Sequence, residues 1–185
     1  MLIPKLTPAD ESGADRHRRV SVPPPPRFRP LAGAVTGVVW RVGGIEGARK
    51  GSTAAQTNGL RYETKVLERL QKFLGPRFHP QPTLHFHDST RWRTVRPDAL
   101  LFDPNGTITI FEIKIQHVPE SWWQLRKLYE PVCQELKFCN RVSCVEVVRS
   151  HDPSMGYPEP VMICQDLDMA LQAHSYKFKV LVCRL

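Results

Sequence analysis

Residues 96–114 read RPDALLFDPNGTITIFEIK, two apolar runs on either side of a strong turn signal, DPNG. The pattern is that of a β-hairpin. In DPNGT, Pro104 suits the second position of a type I turn and Gly106 a following left-handed residue, which is the three-residue loop with a bulge. With Pro104, Asn105 and Gly106 as the loop, Asp103 pairs with Thr107 and Asp98 falls directly opposite Glu112. Opposed side chains share a sheet face, with Cβ atoms about 4.5–5.5 Å apart. Lys114, two residues past Glu112, lies on the same face. A two-residue Asn-Gly loop would instead set Asp98 against Phe111. In the first register two carboxylates oppose each other on a face that also carries Leu100, Phe102, Ile108 and Ile110. Such a pair repels itself, and burying it is costly unless it is paired or binds a metal.

A third acid comes from the segment before the hairpin. NGLRYETKVLERLQKFLG (58–75) places Leu60, Val66, Leu67, Leu70, Phe73 and Leu74 at helical spacing and stops at Gly75-Pro76. Glu63 lies on that apolar stripe, so its carboxylate faces the sheet, whereas Glu68 lies off it. Each acid alone has an ordinary structural reading: Asp98 ion-paired to Lys114 or Arg96, Glu112 to an arginine across the sheet, Glu63 snorkelling. Their joint presence favours a shared site.

The rest of the chain reads as α/β, in the order α-β-β-β-α-β followed by a small α-β addition. Strands are expected at 83–88, 94–103, 107–116, 141–150 and 176–185, and a short helix at 166–174. A second helix is expected over 120–138, where Trp122, Leu125, Tyr129, Val132 and Leu136 form a stripe that Pro131 should kink or break. Residues 1–30 contain seven prolines, including PPPP at 23–26, and cannot bury enough apolar surface to order themselves. Residues 31–43 read as a short strand added to a sheet edge, and GGIEGARKGSTAAQTNG (43–59) as a Gly-rich linker. The expected organisation is a basic, largely disordered arm over 1–57 and one folded domain over 58–185.

The 185 residues carry a formal net charge of +8. Residues 1–62 hold 10 Lys/Arg against 4 Asp/Glu, so the basic excess lies in the N-terminal third. That favours a polyanionic partner, because Lys and Arg that neutralise phosphates release condensed counterions. No apolar run reaches membrane-spanning length, and the first twenty residues lack the continuous apolar core of a secretory signal. Five cysteines without a C-x-x-C pair give no support to a zinc site and read as reduced core residues of a cytoplasmic protein.

Pro97-Asp98, Glu112-Ile113-Lys114 and the preceding helix with Glu63 resemble the PD-(D/E)XK phosphodiesterase superfamily of restriction endonucleases, recombination nucleases and junction resolvases. The resemblance covers residues 58–150, and the spacing from helix acid to PD also resembles the nicking subunits of heteromeric transposases. It implies a restriction-endonuclease-like core and a metal-dependent endonuclease acting on DNA, with RNA left open. Asp98, Glu112 and the Ile113 carbonyl would hold Mg²⁺ or Mn²⁺. Glu63 would bind a second metal or a metal water, and Lys114 would orient or deprotonate the attacking water or stabilise the transition state. An exonuclease, or an inactive nucleic-acid-binding module of the same fold, is the alternative. The chain has no room for a separate recognition domain, so a homodimer or a partner protein would supply specificity.

One departure concerns the second helix. Recombination-type members often carry Gln and Tyr four residues apart there, whereas Gln124 and Tyr129 are five apart, and Gln124 points away from the apolar stripe. Arg126 and Lys127 are candidate phosphate contacts, and Trp123 is the candidate for stacking on bases. His85 and His87 share one face of a strand without a third ligand at metal spacing. No Gly-rich phosphate loop and no nucleophile elbow is present.

Overall fold

The DPNG turn builds the hairpin with the three-residue loop. Asp103 N–H donates to the Thr107 carbonyl at 2.9 Å, and Gly106 N–H to the Asp103 carbonyl at 3.0 Å. Gly106 adopts φ 81°, a left-handed conformation that L side chains resist. A Cβ there would also press within 2.4 Å of the Asn140 side chain. The computed structural model describes residues 31–43, 53–152 and 154–184; the proline-rich segment 1–30 and the linker 44–52 lie outside them.

The hairpin strands β5 (Ala99–Phe102) and β6 (Thr107–Gln116) sit inside a six-stranded mixed sheet of order β2-β5-β6-β7-β9-β8. Its other members are β2 (Phe78–Pro80), β7 (Arg141–Ser150), β8 (Val161–Cys164) and β9 (Phe178–Val182). β2, β5 and β6 run antiparallel, while β6, β7, β9 and β8 are parallel. The parallel strands are buried on both faces, which is why RVSCVEVVRS is a nearly unbroken apolar run. A second sheet of order β1-β3-β4 contains β1 (Thr36–Arg41), β3 (Thr83–His87) and β4 (Trp92–Val95).

The single strand expected over 94–103 is therefore two strands in two sheets, joined by Arg96-Pro97-Asp98. Proline cannot donate a ladder bond, so the strand breaks where Pro97 stands. The strand expected in 31–43 is present as β1, on the edge of the smaller sheet.

Helix α1 spans Ala54–Leu74 and starts earlier than the sequence pattern implied, so the expected boundary at residue 58 falls inside it. Thr53 and Gln56 form a capping box that satisfies two of the helix's free N–H groups. Its buried residues Tyr62, Val66, Leu67, Leu70 and Leu74 cover one face of the large sheet, against Ala99, Leu101, Phe111 and Ile113. Phe73, expected on this stripe, is exposed.

Helix α2 covers the other face and has three consecutive parts: Pro119–Trp123, a π-helical Gln124–Tyr129, and Glu130–Gln134. The break expected at Pro131 is this π segment. Pro131 has no N–H for the usual bond, and the chain inserts a wider turn just before it; Glu130 N–H reaches back five residues to the Leu125 carbonyl. A short helix α3 (Leu167–Gln172) is capped by Asp166. α2 and the smaller sheet pack together on Leu100, Ile108 and Ile110. Among the described residues no helix is long and apolar enough to cross a membrane.

Candidate active site

The β5–β6 ladder runs from Phe102 opposite Ile108 to Ala99 opposite Phe111, the register given by the three-residue loop. One step further, Asp98 stands opposite Glu112. In an antiparallel ladder, hydrogen-bonded pairs alternate. From Asp103–Thr107 they fall by twos to Ala99–Phe111, and the next position opposite Ile113 is Pro97. Pro97 has no N–H to give the Ile113 carbonyl. The Ile113 N–H turns to the carboxylate instead, donating to Asp98 Oδ2 at 2.6 Å. The proline thus opens the ladder, and the aspartate fills half of the opening.

Lys114 Nζ donates to Glu112 Oε1 at 2.6 Å, pairing a half-exposed ammonium with a nearly enclosed carboxylate. Glu112 Oε2 is buried and has no hydrogen-bond partner among the described residues. Burial pushes the Asp98 carboxyl well above the usual range, and Glu112 and Glu63 push it further, against Lys114 and the Ile113 N–H. Asp98 as a residue is only half-buried, but protein atoms surround its carboxyl group. Burial also raises Glu112, partly offset by Lys114, with Glu146 and Glu63 adding to the rise. For Lys114, burial opposes the charge, but Glu112, Asp98 and Glu63 outweigh it and hold the ammonium above its ordinary pKa.

Glu63 is half-buried on α1, and its charge is felt by Asp98, Glu112 and Lys114. Gln81 ties it to the hairpin: its side-chain amide donates to Glu63 Oε1 at 2.9 Å, and its backbone N–H to the Asp98 carbonyl at 2.7 Å. Gln81 takes φ 45°, an uncommon value for a non-glycine residue. Gly43 packs on it so closely that a Cβ would stand 1.8 Å from the Gln81 carbonyl oxygen. Neither residue was singled out from the sequence, which gives no signal of a contact between them.

Behind Glu112 lies a group that the sequence reading also missed. Glu146, fully buried on β7, is the parallel-register neighbour of Glu112. It faces His117 Nδ1 at 2.6 Å and accepts a short hydrogen bond from the Ser121 hydroxyl. A lone acid in the apolar run VSCVEVV was the available signal. Tyr129, from the π segment, donates its hydroxyl to the Arg96 carbonyl at 3.3 Å. Burial, with Glu112 and Asp98 adding to it, holds that phenol well above its usual pKa.

Gln124 does not point away from the core: it is buried. In a π turn the i→i+5 repeat replaces the i→i+4 repeat. Gln124 and Tyr129, five apart, therefore have nearly the relation that residues four apart have in an α-helix. Arg126 is tied to Glu159, with Nε to Oε1 at 2.5 Å, and to Glu130, which removes it as a phosphate contact. Lys127 lies 5.6 Å over the Trp122 ring. Trp123 is buried, so it offers no base-stacking face. His85 and His87 share a strand face without a third ligand; among the described residues no group of three His, Cys, Asp or Glu side chains is arranged to hold a metal, so Glu63, Asp98 and Glu112 do not form the three-acid cluster that the sequence implied. All five cysteines are free thiols. A cleft of about 760 Å³ between α1 and β9, lined by Arg69, Phe73 and Arg184 among others, includes none of Glu63, Asp98 and Glu112.

Asp98 and Glu112 could together hold a hard divalent cation. Two opposed carboxylates with raised pKa values and one unpartnered carboxylate oxygen are what a cation would relieve. Mg²⁺ is usually held by one or two carboxylates, with water and phosphate completing its shell, and needs no three-acid cage. Asp98, Glu112 and the Ile113 carbonyl are the groups that could hold it; Glu63 stands on α1, which packs on the opposite face of the sheet from Leu100 and Ile110. Comparison with protein-family models, curated proteins and solved structures gives no match for this chain. The functional reading therefore stands on the site's own chemistry.

Proposed function

We propose that this chain is a Mg²⁺- or Mn²⁺-dependent endonuclease with a restriction-endonuclease-like core that hydrolyses DNA phosphodiester bonds. One observation carries the reading: Asp98, one step past the Ala99–Phe111 pair, falls opposite the buried Glu112, Lys114 pairs with Glu112, and Glu112 Oε2 lacks a partner among the described residues. A divalent ion bound there supplies an activated water and neutralises phosphate charge. Asp98 and Glu112 hold it, with the Ile113 carbonyl left open on that side by Pro97. The Ile113 N–H keeps the Asp98 carboxylate aimed. Lys114, kept protonated by the acids around it, places a fixed positive charge where the phosphate's negative charge grows. Glu63, held by Gln81, orients water at the edge of the site.

A supercoiled plasmid incubated with and without Mg²⁺ tests this. Metal-dependent nicking or linearisation that disappears in Asp98→Ala and Lys114→Ala supports the reading. Undiminished cutting by Asp98→Ala overturns the site. Loss only from free ends marks an exonuclease, and salt-sensitive retardation without cutting marks a binding module.

A further inference from the structure

The smaller sheet has one face in the core, through Leu84, Phe86 and Val95, and one face open. On the open face the register lines up Trp92 with His87, and His85 with Val39. Arg41 shares this face on β1, and Arg96, exposed one residue past the end of β4, continues it towards Asp98. Among the described residues, none projecting from this face carries a carboxylate. Trp92 is 65% exposed, an unusual cost for the largest apolar side chain. It is also held in place. Its ring meets His87 edge-on at 5.7 Å between centroids. The far tip of the indole reaches β1, where Cη2 stands 3.5 Å from the point a Cβ on Gly37 would occupy. Gly37 takes φ 63° in the bulge between Thr36 and Val39, so the backbone is shaped to let the indole lie across three strands.

We infer that this face binds a single-stranded DNA segment flanking the scissile phosphate, with bases stacking on Trp92 and phosphates held by Arg41 and Arg96. A preorganised aromatic platform with cations and no acids beside it is the chemistry that takes unpaired bases without reading their sequence. Charge complementarity fits this occupant: the chain is +8 overall, and among the described residues this face contributes cations only. Continuity with the site does the rest. Trp92 and Arg96 are four residues apart, about 13 Å along an extended chain, and Asp98 is two residues further on. The substrate class is then DNA with unpaired character beside the cut: a flap, a fork or a melted duplex. This deepens the nuclease reading, but its test does not depend on cleavage.

The test uses the full chain in EDTA with a fluorescently labelled oligothymidylate and a blunt duplex of equal length. Binding is read by anisotropy and by quenching of tryptophan emission; Trp122 and Trp123 are buried and Trp40 is half-buried, so quenching by DNA reports mainly on Trp92. Trp92→Ala should weaken oligothymidylate binding about tenfold or more, the range expected for one lost stacking contact. It should change duplex binding little, and Trp92→Phe should restore much of the loss. Arg41→Ala and Arg96→Ala should each lower the salt dependence by about one counterion. Equal oligothymidylate affinity in Trp92→Ala and the parent overturns the inference. So does a parent dimer that Trp92→Ala converts to monomer without affecting DNA affinity, which would make the face a contact between copies. If the chain binds in this way but cuts neither plasmid nor flap or fork DNA, the nuclease reading fails and the face stands as a single-strand-binding surface.

Discussion

Glu112 and Glu146 occupy matching positions of the parallel strands β6 and β7, two buried carboxylates side by side. Glu146 is satisfied by His117 and Ser121, while Glu112 shares Lys114 and leaves one oxygen unpartnered. The negative charge of Glu146 is one of the influences that raise Glu112. Glu146→Gln should therefore lower the Glu112 pKa in metal-free protein, read by carboxyl ¹³C NMR in EDTA. A rise or no change would show that the two groups do not interact. Glu146→Ala, which strands the buried His117 and Ser121, should cost about 1–3 kcal/mol of stability by denaturant unfolding.

The site acids hold the metal-free fold below its attainable stability. A carboxyl whose folded pKa is raised binds its proton more tightly when folded, so stability falls as pH climbs from the unfolded value towards the folded one. Asp98 and Glu112 are both raised. In EDTA the protein should gain stability as pH drops from neutral towards the ordinary carboxylate range. Asp98→Asn keeps an acceptor for the Ile113 N–H and removes one charge, so it should be more stable than the parent at pH 7 and should flatten this pH dependence. Chemical denaturation at several pH values measures both. Cleavage should fall by about 10²–10³ or more, the cost of removing one preorganised electrostatic group.

A divalent ion should reverse that stability order. Mg²⁺ at a hundredfold excess over its dissociation constant adds about 2.7 kcal/mol to a fold that binds it only when folded. For a chain of this size that amounts to several degrees in melting temperature. The parent should show the shift with Mg²⁺ or Mn²⁺, while Asp98→Asn and Glu112→Gln should not. An equal shift in Asp98→Asn would mean that the ion binds elsewhere.

The hairpin was legible because its turn residues set the register, and the register alone brings Asp98 to Glu112. The half-burial of Glu63 was legible because one acid interrupts an apolar helical stripe. The split of 94–103 into two sheets was not, since Pro97 signals a break without saying that the chain then changes sheets. Phe73 sat on the periodic pattern yet stays exposed, at the edge of the cleft between α1 and β9. Pro131 announced a distortion of α2, but only the π turn showed that it brings Gln124 and Tyr129 nearly into line. Gln81, Gly43 and His117 act through contacts between distant segments, which no local pattern encodes. Trp123, the stacking candidate, is buried and Trp92 exposed for a similar reason: burial depends on what packs against a strand or helix, and the open face of the smaller sheet is set by β1, far away in sequence.

Pro97 gives the sharpest separation between stability and chemistry. It stands where β5 would otherwise offer an N–H to the Ile113 carbonyl, and its absence of that proton leaves the carbonyl for another partner. Pro97→Ala restores the donor. The ladder can then close by one more pair, taking up the Ile113 carbonyl and competing with the Asp98 carboxylate for position. The unfolded chain gains freedom, a destabilisation of about 0.4–1 kcal/mol, which the new ladder bond partly offsets. Overall stability should therefore change by less than about 1 kcal/mol, while metal affinity, read by the Mg²⁺ shift in melting temperature, drops sharply and cleavage drops with it. If Pro97→Ala binds Mg²⁺ as the parent does, the Ile113 carbonyl is not a ligand and the opening in the ladder serves only to aim Asp98.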